Sequence, residues 1–575
     1  MSTTVDRADG ANSPDSSAPA PAPRATGKGV PLAYAGSGLM TASALMSWCY
    51  DPDVLGDLTL YGNPAPVQLT MLVLGLLGLV LAMSAKGPLR RLGAGLDTSR
   101  GAFRLGLGAV AYMALTLAAI TAQAGGLVNA DPGAWVALVG SLVLVVAGRL
   151  GVSRPSRNIG AMRAKGWVEI LVLVALVAIA LLLVADGLTL RDPWAFVLLL
   201  LGVGAAAAGL AGANAFTWLG VTASYHSRVL TLAAFVAAFA FPLTQNGSDA
   251  NMSIATQVII FSATALGLNI VVGLAGLLDL GYIAFLGAGA YVGAILSGSA
   301  FATIDWQPPF LVTVIIGALF SALLGLIIGS PTLRVSGDYL AIVTLAFGEI
   351  FRLAMFNLDG NNGPKITNGP NGIPAIPELN FFGFDFGVTH HLFGIPITRF
   401  SNYYLLLLCV IALIIVIFSN LNNSRIGRGW VAIREDEKAA DAMGVNVFGL
   451  KLLAFAGGAF LAGLAGTIKA HHDVSVTPDQ YQFLESAFLL AAVVLGGMGT
   501  VGGVLLGAVV LKLLPEKLRF FSEYRLLIFG LLLVLMMRFR PEGLVASKRR
   551  KLEFHEDDEH LADKVQTIHL EEKTS

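Results

Sequence analysis

The stretch WVEILVLVALVAIALLLVA, residues 167–185, indicates that this chain folds in a lipid bilayer. It carries a single charged side chain, Glu169, in an otherwise apolar run. A helix of about 20 apolar residues is long enough to cross the roughly 30 Å hydrocarbon core of a bilayer. Similar runs recur along almost the whole sequence, so the chain is predicted to cross a membrane many times.

The composition agrees with a lipid environment. Of the 575 residues, 55% are hydrophobic and only 13% are charged, and the mean hydropathy is +0.73. These values lie far outside the usual range for soluble domains. The 37 basic and 37 acidic side chains cancel, so the overall charge gives no argument for a nucleic-acid partner.

The apolar segments fall into two groups. The first group occupies residues 31–49, 67–85, 105–124, 134–148, 167–185, 194–220 and 228–245. The second group occupies residues 254–273, 280–298, 309–330, 339–356, 402–419, 449–468, 484–513 and 524–539. The predicted fold class is therefore all-α, a polytopic transmembrane helical bundle.

Basic residues predict the orientation, because cytoplasmic loops retain Lys and Arg. The loops at 86–104 and 149–165 are rich in Arg and Lys, whereas the loop with Asp51, Asp53 and Asp57 has no basic residue. This pattern places the N-terminus inside. The basic tail at 548–551 should also lie inside, which requires an even number of crossings.

Successive loops should alternate between the two sides of the membrane, but one apolar segment does not fit this alternation. If it is counted as a single crossing, the basic tail is placed outside. Residues 484–513 contain GGMGTVGG, from Gly496 to Gly503, which divides the run into halves too short to span separately. We therefore predict a broken or re-entrant helical hairpin, which is tolerated at membrane depth where protein or a water-filled cavity shields the backbone. About fourteen full crossings remain, and both termini are predicted to be cytoplasmic.

Glycines at intervals of four predict close helix packing. Gly289 and Gly293 form one such set, and Gly499, Gly503 and Gly507 form another. Small residues on one face let helix backbones approach each other.

Three other regions are predicted to lie outside the bundle. Residues 1–30 and 547–575 are expected to be cytoplasmic tails, the first of them disordered. The predicted outer loop between Asn357 and Asn402 contains GNNGPKITNGPNGIPAIP, a composition that favours turns. A docking surface or lid and a passive connector are equally compatible with this loop.

No enzyme signature is found. The sequence has no G-x-x-x-x-G-K-[ST] motif, so the chain is not expected to bind ATP or another cofactor itself. Adjacent residues on a helix point in different directions, so His471 and His472 do not predict a metal site. Cys49 and Cys409 are far apart and lie in or beside apolar runs, which is typical of buried free thiols.

The stretch SRIGRGWVAIREDEKAADAMGVNVFGLK, residues 424–451, is a charged loop between two spans, predicted to lie inside. Its spacing predicts a short amphipathic helix ended by Gly444, since glycine commonly terminates helices. Such a helix could dock into a groove of another protein. The alternative is a connector lying on the membrane surface.

From about residue 254 to 545, the chain resembles the permeases of branched-chain amino acid ABC importers of the LivM type. The resemblance is carried by LGLNIVVGLAGLLDLGYIAFLGAGAY (266–291), SGDYLAIVTLAFGEIFRL (336–353), GPNGI (369–373), AIREDEKAADAMGVN (432–446), ESAFLLAAVVLGGMGT (485–500) and RPEGL (540–544). Residues 251–546 are thus expected to form the permease core. Residues 31–250 form an additional membrane module of about seven spans, without a motif that indicates its role.

The resemblance implies that the charged loop is the coupling helix that contacts an ATPase subunit. The residues expected to do so are Arg434, Glu435, Asp436, Glu437, Lys438, Ala439, Ala440 and Gly444. The general importer form is E-A-A-x-x-x-G; here Lys438 stands at the Glu position, with Glu437 just before it. The expected partners are ABC ATPases that use ATP and Mg²⁺, a second homologous permease and an extracytoplasmic amino-acid-binding protein.

Polar side chains inside the spans are candidates for the substrate pathway, because they are costly in lipid and usually face the bundle interior. The predicted pathway residues are Asn269, Tyr282, Thr344, Glu349 and Arg352. Glu349 and Arg352 are three apart on one predicted helix and can pair. The alternative role for these two residues is a structural ion pair that locks the bundle.

The expected function is ATP-driven import of branched-chain amino acids across the cytoplasmic (plasma) membrane. One alternative keeps the architecture but changes the cargo to urea or short-chain amides. Another is a secondary transporter or channel driven by an ion gradient.

Overall fold

The structure is a computed structural model. It describes residues 27–517, except 52, 57, 60, 87, 89–94, 153–164, 191, 303, 305, 333–338, 362, 382 and 393, and scattered positions between 527 and 545. The predicted tails lie largely or wholly outside the described residues, and so does most of the predicted span at 524–539.

The described residues are predominantly helical. The helices are α1 (Val30–Ser43), α2 (Pro66–Ala85), α3 (Thr98–Ala124), α4 (Pro132–Leu150), α5 (Gly166–Thr189), α6 (Pro193–Gly212), α7 (Ala215–Tyr225), α8 (Ser227–Thr244), α9 (Asp249–Leu268), α10 (Ile283–Ile295), α11 (Phe310–Thr332), α12 (Tyr339–Asn357), α13 (Arg399–Asn423), α14 (Arg425–Glu435), α15 (Glu437–Ala442), α16 (Val447–Asp473), α17 (Phe483–Gly496) and α18 (Val501–Lys517). A π-helical segment, Asn269–Leu274, continues α9. Short 3₁₀ turns occupy Leu127–Asn129, Gly369–Asn371 and Pro478–Tyr481.

The predicted fold class is confirmed. Among the described residues, 11 helices are long and apolar enough to cross a membrane. Two further predicted crossings coincide with shorter helices, α1 with 14 residues and α10 with 13. The chain is a multi-pass helical membrane protein.

The apolar run at 194–220 was predicted as one segment but contains two helices. Helix α6 ends at Gly212, and α7 begins at Ala215. Between them Asn214 has a φ of 61°, in the left-handed region that Asn tolerates better than most residues. Hydropathy does not reveal a helix break of this kind, because a single residue causes it and the run stays apolar on both sides.

The chain divides into two compact units. One comprises the described residues up to Ala180 and Leu190–Ala234, and the other comprises Leu181–Thr189 and the described residues from Phe235 onwards. In the first unit, glycines bring helices together: a Cβ on Gly36 would lie 2.8 Å from the carbonyl oxygen of Gly140. Glu169, the charge in the opening stretch, is buried and lies 3.1 Å from His226.

In the second unit, α9, α10, α11 and α16 form the centre of the core. The most apolar stretch of α9 and the π-helical segment is 89% buried. Helix α10 packs on α16 through small residues, as its glycine spacing predicts. A Cβ on Gly289 would lie 2.2 Å from the carbonyl oxygen of Gly463, and one on Gly293 would lie 2.9 Å from that of Thr467.

Residues 483–517 form the predicted broken hairpin. A Cβ on Gly496 would lie 2.2 Å from the carbonyl oxygen of Gly503, and one on Gly507 would lie 2.1 Å from that of Ala492. These two contacts show that α17 and α18 run antiparallel. Gly499 does not pack on a helix as its spacing suggests, because it lies in the turn with a φ of +79°.

The predicted outer loop is folded against the helices. Strands β1 (Asn380–Phe381) and β2 (Phe384–Asp385) pair antiparallel, as do β3 (His390–Leu392) and β4 (Ile395–Ile397). The Arg399 guanidinium binds Glu378 and donates to the carbonyl oxygens of His471 and His472 at 2.9 and 2.8 Å. These bonds attach the loop to the last turn of α16.

A Gly289→Val substitution is expected to prevent stable packing of α10 on α16. The new side chain would collide with the backbone of α16, which cannot move aside by changing a rotamer as a side chain can. Overpacking of this kind costs about 3 kcal/mol or more. Yield of monodisperse protein and the midpoint of thermal unfolding measure the effect. Gly457→Val on α16 is the matched control, because its Cβ meets no described atom within 4 Å. Equal stability of the two variants would contradict the packing argument.

Candidate functional site

The charged loop contains two helices, α14 and α15, which we call the helix pair. The sequence predicts one short helix here, but Asp436 adopts an extended conformation and separates two. Its carboxylate accepts from the backbone N–H groups of Lys438 and Ala439 at 2.9 and 3.0 Å. Asp is a strong N-cap, so the residue between the helices begins the second of them. Helix α15 ends before Gly444, whose φ is +83°.

The residues predicted to contact an ATPase are mostly on the surface. Glu435, Asp436, Glu437, Lys438, Ala439 and Gly444 are exposed. Ala440 is buried, and Arg434 is half-buried. The exposed face of the helix pair therefore carries both acidic and basic side chains, and the buried Ala440 lies beneath them. Their contact with another protein stays a prediction.

Met443 is a surface residue that the sequence analysis did not include among the coupling residues. Its side chain is 84% exposed, directly after α15. A methionine adapts its shape to irregular apolar grooves. We therefore predict that Met443 enters the contact with an ATPase subunit.

Two contacts fix the helix pair to the membrane-spanning helix α16. Trp430 is buried, and its indole N–H donates to the carbonyl oxygen of Leu450 at 2.7 Å. The Lys451 ammonium lies 2.6 Å from the Glu437 carboxylate. A displacement of the helix pair would therefore be transmitted to the start of α16.

A third contact joins the helix pair to the π-helical segment. The Arg434 guanidinium donates to the carbonyl oxygen of Gly273 at 2.7 Å. A Cβ on Gly276 would lie 2.7 Å from the Arg434 side chain, so the glycine leaves the space that this side chain fills. Charged hydrogen bonds are stronger than neutral ones. π-Helical turns are rare and often occur at functional sites.

The other end of this segment holds the hairpin turn. Asn269 is fully buried, and its side-chain oxygen accepts from the Gly499 N–H at 2.8 Å. Its amide nitrogen lies 3.4 Å from the carbonyl oxygen of Thr500. Asn269 and Gly273 are four residues apart on one segment. A continuous set of contacts thus leads from Arg434 to the turn of the hairpin.

Two other predicted pathway residues bind backbone in the core. The Tyr282 hydroxyl donates to the carbonyl oxygen of Gly458 at 2.6 Å, which joins the start of α10 to α16. The Thr344 hydroxyl accepts from the Leu280 N–H at 3.0 Å. Both residues are buried. These contacts favour a structural role in this conformation, and their role in a pathway stays a prediction.

Glu349 and Arg352 pair with each other on α12. The Arg352 Nε donates to Glu349 at 2.9 Å, and its Nη1 lies 3.3 Å from Asp479 in the turn before α17. The Glu349 side chain is 40% exposed within this chain. A carboxylate exposed on an apolar helix is costly in hydrocarbon, so this face of α12 is expected to meet water or another subunit.

The structure also brings together charges that the sequence analysis missed. Lys512 on α18 lies 3.3 Å from Glu485 on α17, and its ammonium is 5.1 Å from the centre of the Phe261 ring on α9. A lysine at the end of an apolar run was the available signal. The pairing itself required the hairpin geometry.

An Asn269→Leu substitution is expected to lower stability by about 1–3 kcal/mol, because the partly buried Gly499 N–H would lose its acceptor. The checks are a lower midpoint of thermal unfolding and faster hydrogen exchange at the hairpin turn. Asn357→Leu is the control, since the exposed Asn357 side chain donates to the carbonyl oxygen of Leu353 on its own helix. Unchanged exchange in Asn269→Leu would exclude this contact as the clamp on the hairpin.

Comparison with known proteins assigns the family. The profile described as "Branched-chain amino acid transport system / permease component" matches residues 250–537, within the second unit. The chain is 40% identical over 337 residues to the high-affinity branched-chain amino acid transport system permease protein LivM of Salmonella typhimurium, covering 56% of this chain and 76% of that protein. The LivM protein of Escherichia coli K12 gives the same identity and coverage.

A second kind of permease is also similar. The protein LivH of Escherichia coli K12 is 27% identical over 187 residues, which cover 32% of this chain and 59% of that protein. No solved structure matches the chain. The match to half of the chain and the identity to LivM proteins together show that this chain belongs to the family of branched-chain amino acid transport system permease components.

Proposed function

We propose that this chain is the membrane-spanning permease subunit of an ATP-driven importer that translocates branched-chain amino acids. The observation that carries the proposal is the bonded connection from the exposed helix pair, through Arg434 and the π-helical segment, to the turn of the hairpin. Such a connection gives an external ATPase a mechanical route into the core of the bundle. No step on this route requires chemistry by the chain itself.

The helix pair is the surface that an ATPase subunit moves. The ATPase, and not this chain, binds ATP and Mg²⁺. When paired ATPase subunits close, the displaced helix pair pulls on Gly273 through Arg434 and on α16 through Trp430 and Lys451. Asn269 passes the movement to the hairpin turn, so the cavity changes the side to which it opens.

Two further partners complete the proposed transporter. A second, homologous permease packs against this chain, and the partly exposed pair of Glu349 and Arg352 fits a surface shared with it or with the solute pathway. An extracytoplasmic binding protein delivers the amino acid to the outer face. Both termini and the helix pair face the cytoplasm, and the chain lies in the cytoplasmic membrane.

Reconstitution tests the proposal. The full chain is placed in liposomes with its ATPases, second permease and binding protein, and the uptake of radiolabelled leucine and of urea is measured with and without ATP. We expect uptake of leucine that requires ATP and no uptake of urea. Uptake of urea alone would indicate the amide-transporting alternative, and leucine uptake without ATP would indicate an ion-driven transporter.

A further inference from the structure

A cavity of about 120 Å³ lies at the open end of the hairpin. It is partly open and lies between α9, α17 and α18, and its lining includes Gln257, Phe261, Glu485, Phe488, Lys512 and Glu516. At roughly 30 Å³ of liquid volume per water, the cavity has room for about four waters. This is close to the size of an α-amino-acid head group, which comprises the amino nitrogen, Cα and the carboxylate.

The lining combines both signs of charge with aromatic rings. Lys512 lies 3.3 Å from Glu485, and their side chains are 32% and 34% exposed. The ammonium also lies over the face of Phe261. Charges on helices of a membrane bundle are costly, and they usually mark pathways for polar solutes.

The cavity is remote from the helix pair. Glu485 precedes Gly496 by eleven residues along α17, a distance of about 16 Å in a helix. Gly496 adjoins the hairpin turn that Asn269 holds, and Arg434 binds Gly273, one helical turn from Asn269. The cavity is therefore at the end of the hairpin away from the surface proposed to bind the ATPase. In the proposed orientation it faces the side from which solute arrives.

We propose that this cavity, lined by Lys512, Glu485 and Phe261, binds the zwitterionic head of the transported amino acid. The inference rests on the proposed function and names a recognition site for its substrate. The substrate carboxylate replaces Glu485 as the partner of Lys512, and the substrate ammonium binds Glu485. Phe261 and Phe488 contact the apolar side chain. One protein ion pair is thus exchanged for two pairs with the substrate.

The test uses the complete reconstituted transporter and a diazirine analogue of leucine as the photochemical probe. We expect labelling of peptides from α9, α17 or α18 that excess leucine suppresses. 4-Methylpentanoate and 3-methylbutylamine, which each carry one of the two charges, should suppress it at least tenfold less well. Labelling confined to other helices, or equal competition by the singly charged analogues, would overturn the proposal.

Uptake kinetics provide the second measurement. Lys512→Met is expected to raise the KM for leucine at least tenfold, whereas Lys512→Arg, which keeps the cation, should stay within about threefold of wild type. Lys86→Met, at an exposed lysine of the first unit, is the control. The double variant K512E/E485K retains an ion pair, so recovery of wild-type KM in it would show a merely structural pair and overturn the proposal.

A phosphatidylethanolamine headgroup, like an amino acid, carries an ammonium beside an anionic group, so it could bind the same residues. A diazirine-bearing phosphatidylethanolamine is therefore included in the liposomes. Labelling of the cavity by this lipid that leucine does not displace would assign the site to lipid and overturn the proposal. If wild type imports leucine normally while Lys512→Met is unaffected, only the site assignment fails. If wild type does not import leucine, the proposed function itself fails.

Discussion

An Arg434→Gln variant is expected to assemble with its ATPases and to hydrolyse ATP, but to import leucine about 10- to 100-fold more slowly than wild type. The guanidinium bond to the Gly273 carbonyl oxygen, 2.7 Å long, joins the helix pair to the π-helical segment. A hydrogen bond to a charged group contributes about 1.5–3 kcal/mol, and each 1.4 kcal/mol corresponds to a factor of about ten. Losing it should separate ATP hydrolysis from movement of the hairpin.

The ratio of leucine imported to ATP hydrolysed measures this separation. Arg428→Gln is the matched control, because Arg428 lies on the same helix, is exposed, and donates to the carbonyl oxygen of Asn423 instead of to the core. We expect the control to keep the wild-type ratio. An unchanged ratio in Arg434→Gln would show that force reaches the bundle by another route.

A Met443→Asp variant is expected to weaken association with the ATPase subunits by about 10- to 100-fold or more. Met443 is 84% exposed in the isolated chain, and burying a methionine side chain contributes about 1.5–3 kcal/mol. An aspartate at the same place would add the cost of burying a charge without a partner. Co-purification and the concentration dependence of ATPase activity measure the loss.

Val128→Asp is the control for this substitution. Val128 is 89% exposed and lies in the first unit, so the variant makes the same change from an apolar to an acidic side chain at a similar exposure. It should assemble like wild type. Normal assembly of Met443→Asp would remove Met443 from the contact and favour a helix pair that only connects two spans.

Local signals in the sequence were sufficient for the helices and for the hairpin. The glycines from Gly496 to Gly503 indicated a break, because a run with such a turn cannot continue as one helix, and the basic tail required the chain to return. The inner helix was predicted at about the right place. It was predicted as one helix because a capping Asp inside a charged stretch, here Asp436, resembles the exposed face of a helix.

The sequence pattern did not reveal the partners of individual polar residues. Asn269, Tyr282 and Thr344 were selected because a polar group in an apolar span needs a partner, and each has one. The partners are backbone groups of Gly499, Gly458 and Leu280, which the pattern of side chains cannot reveal. Lys512 and Glu485 stood in the sequence as isolated charges 27 residues apart.

The order of residues was enough to predict the lipid environment, the helical class and the surface where charge collects. These follow from hydropathy and turn chemistry, which act over one or two helical turns. The fold was needed to join Arg434 to the hairpin turn and Lys512 to Glu485. Such contacts depend on which helices become neighbours, and that is settled by the shape of the glycine-lined faces of the whole bundle.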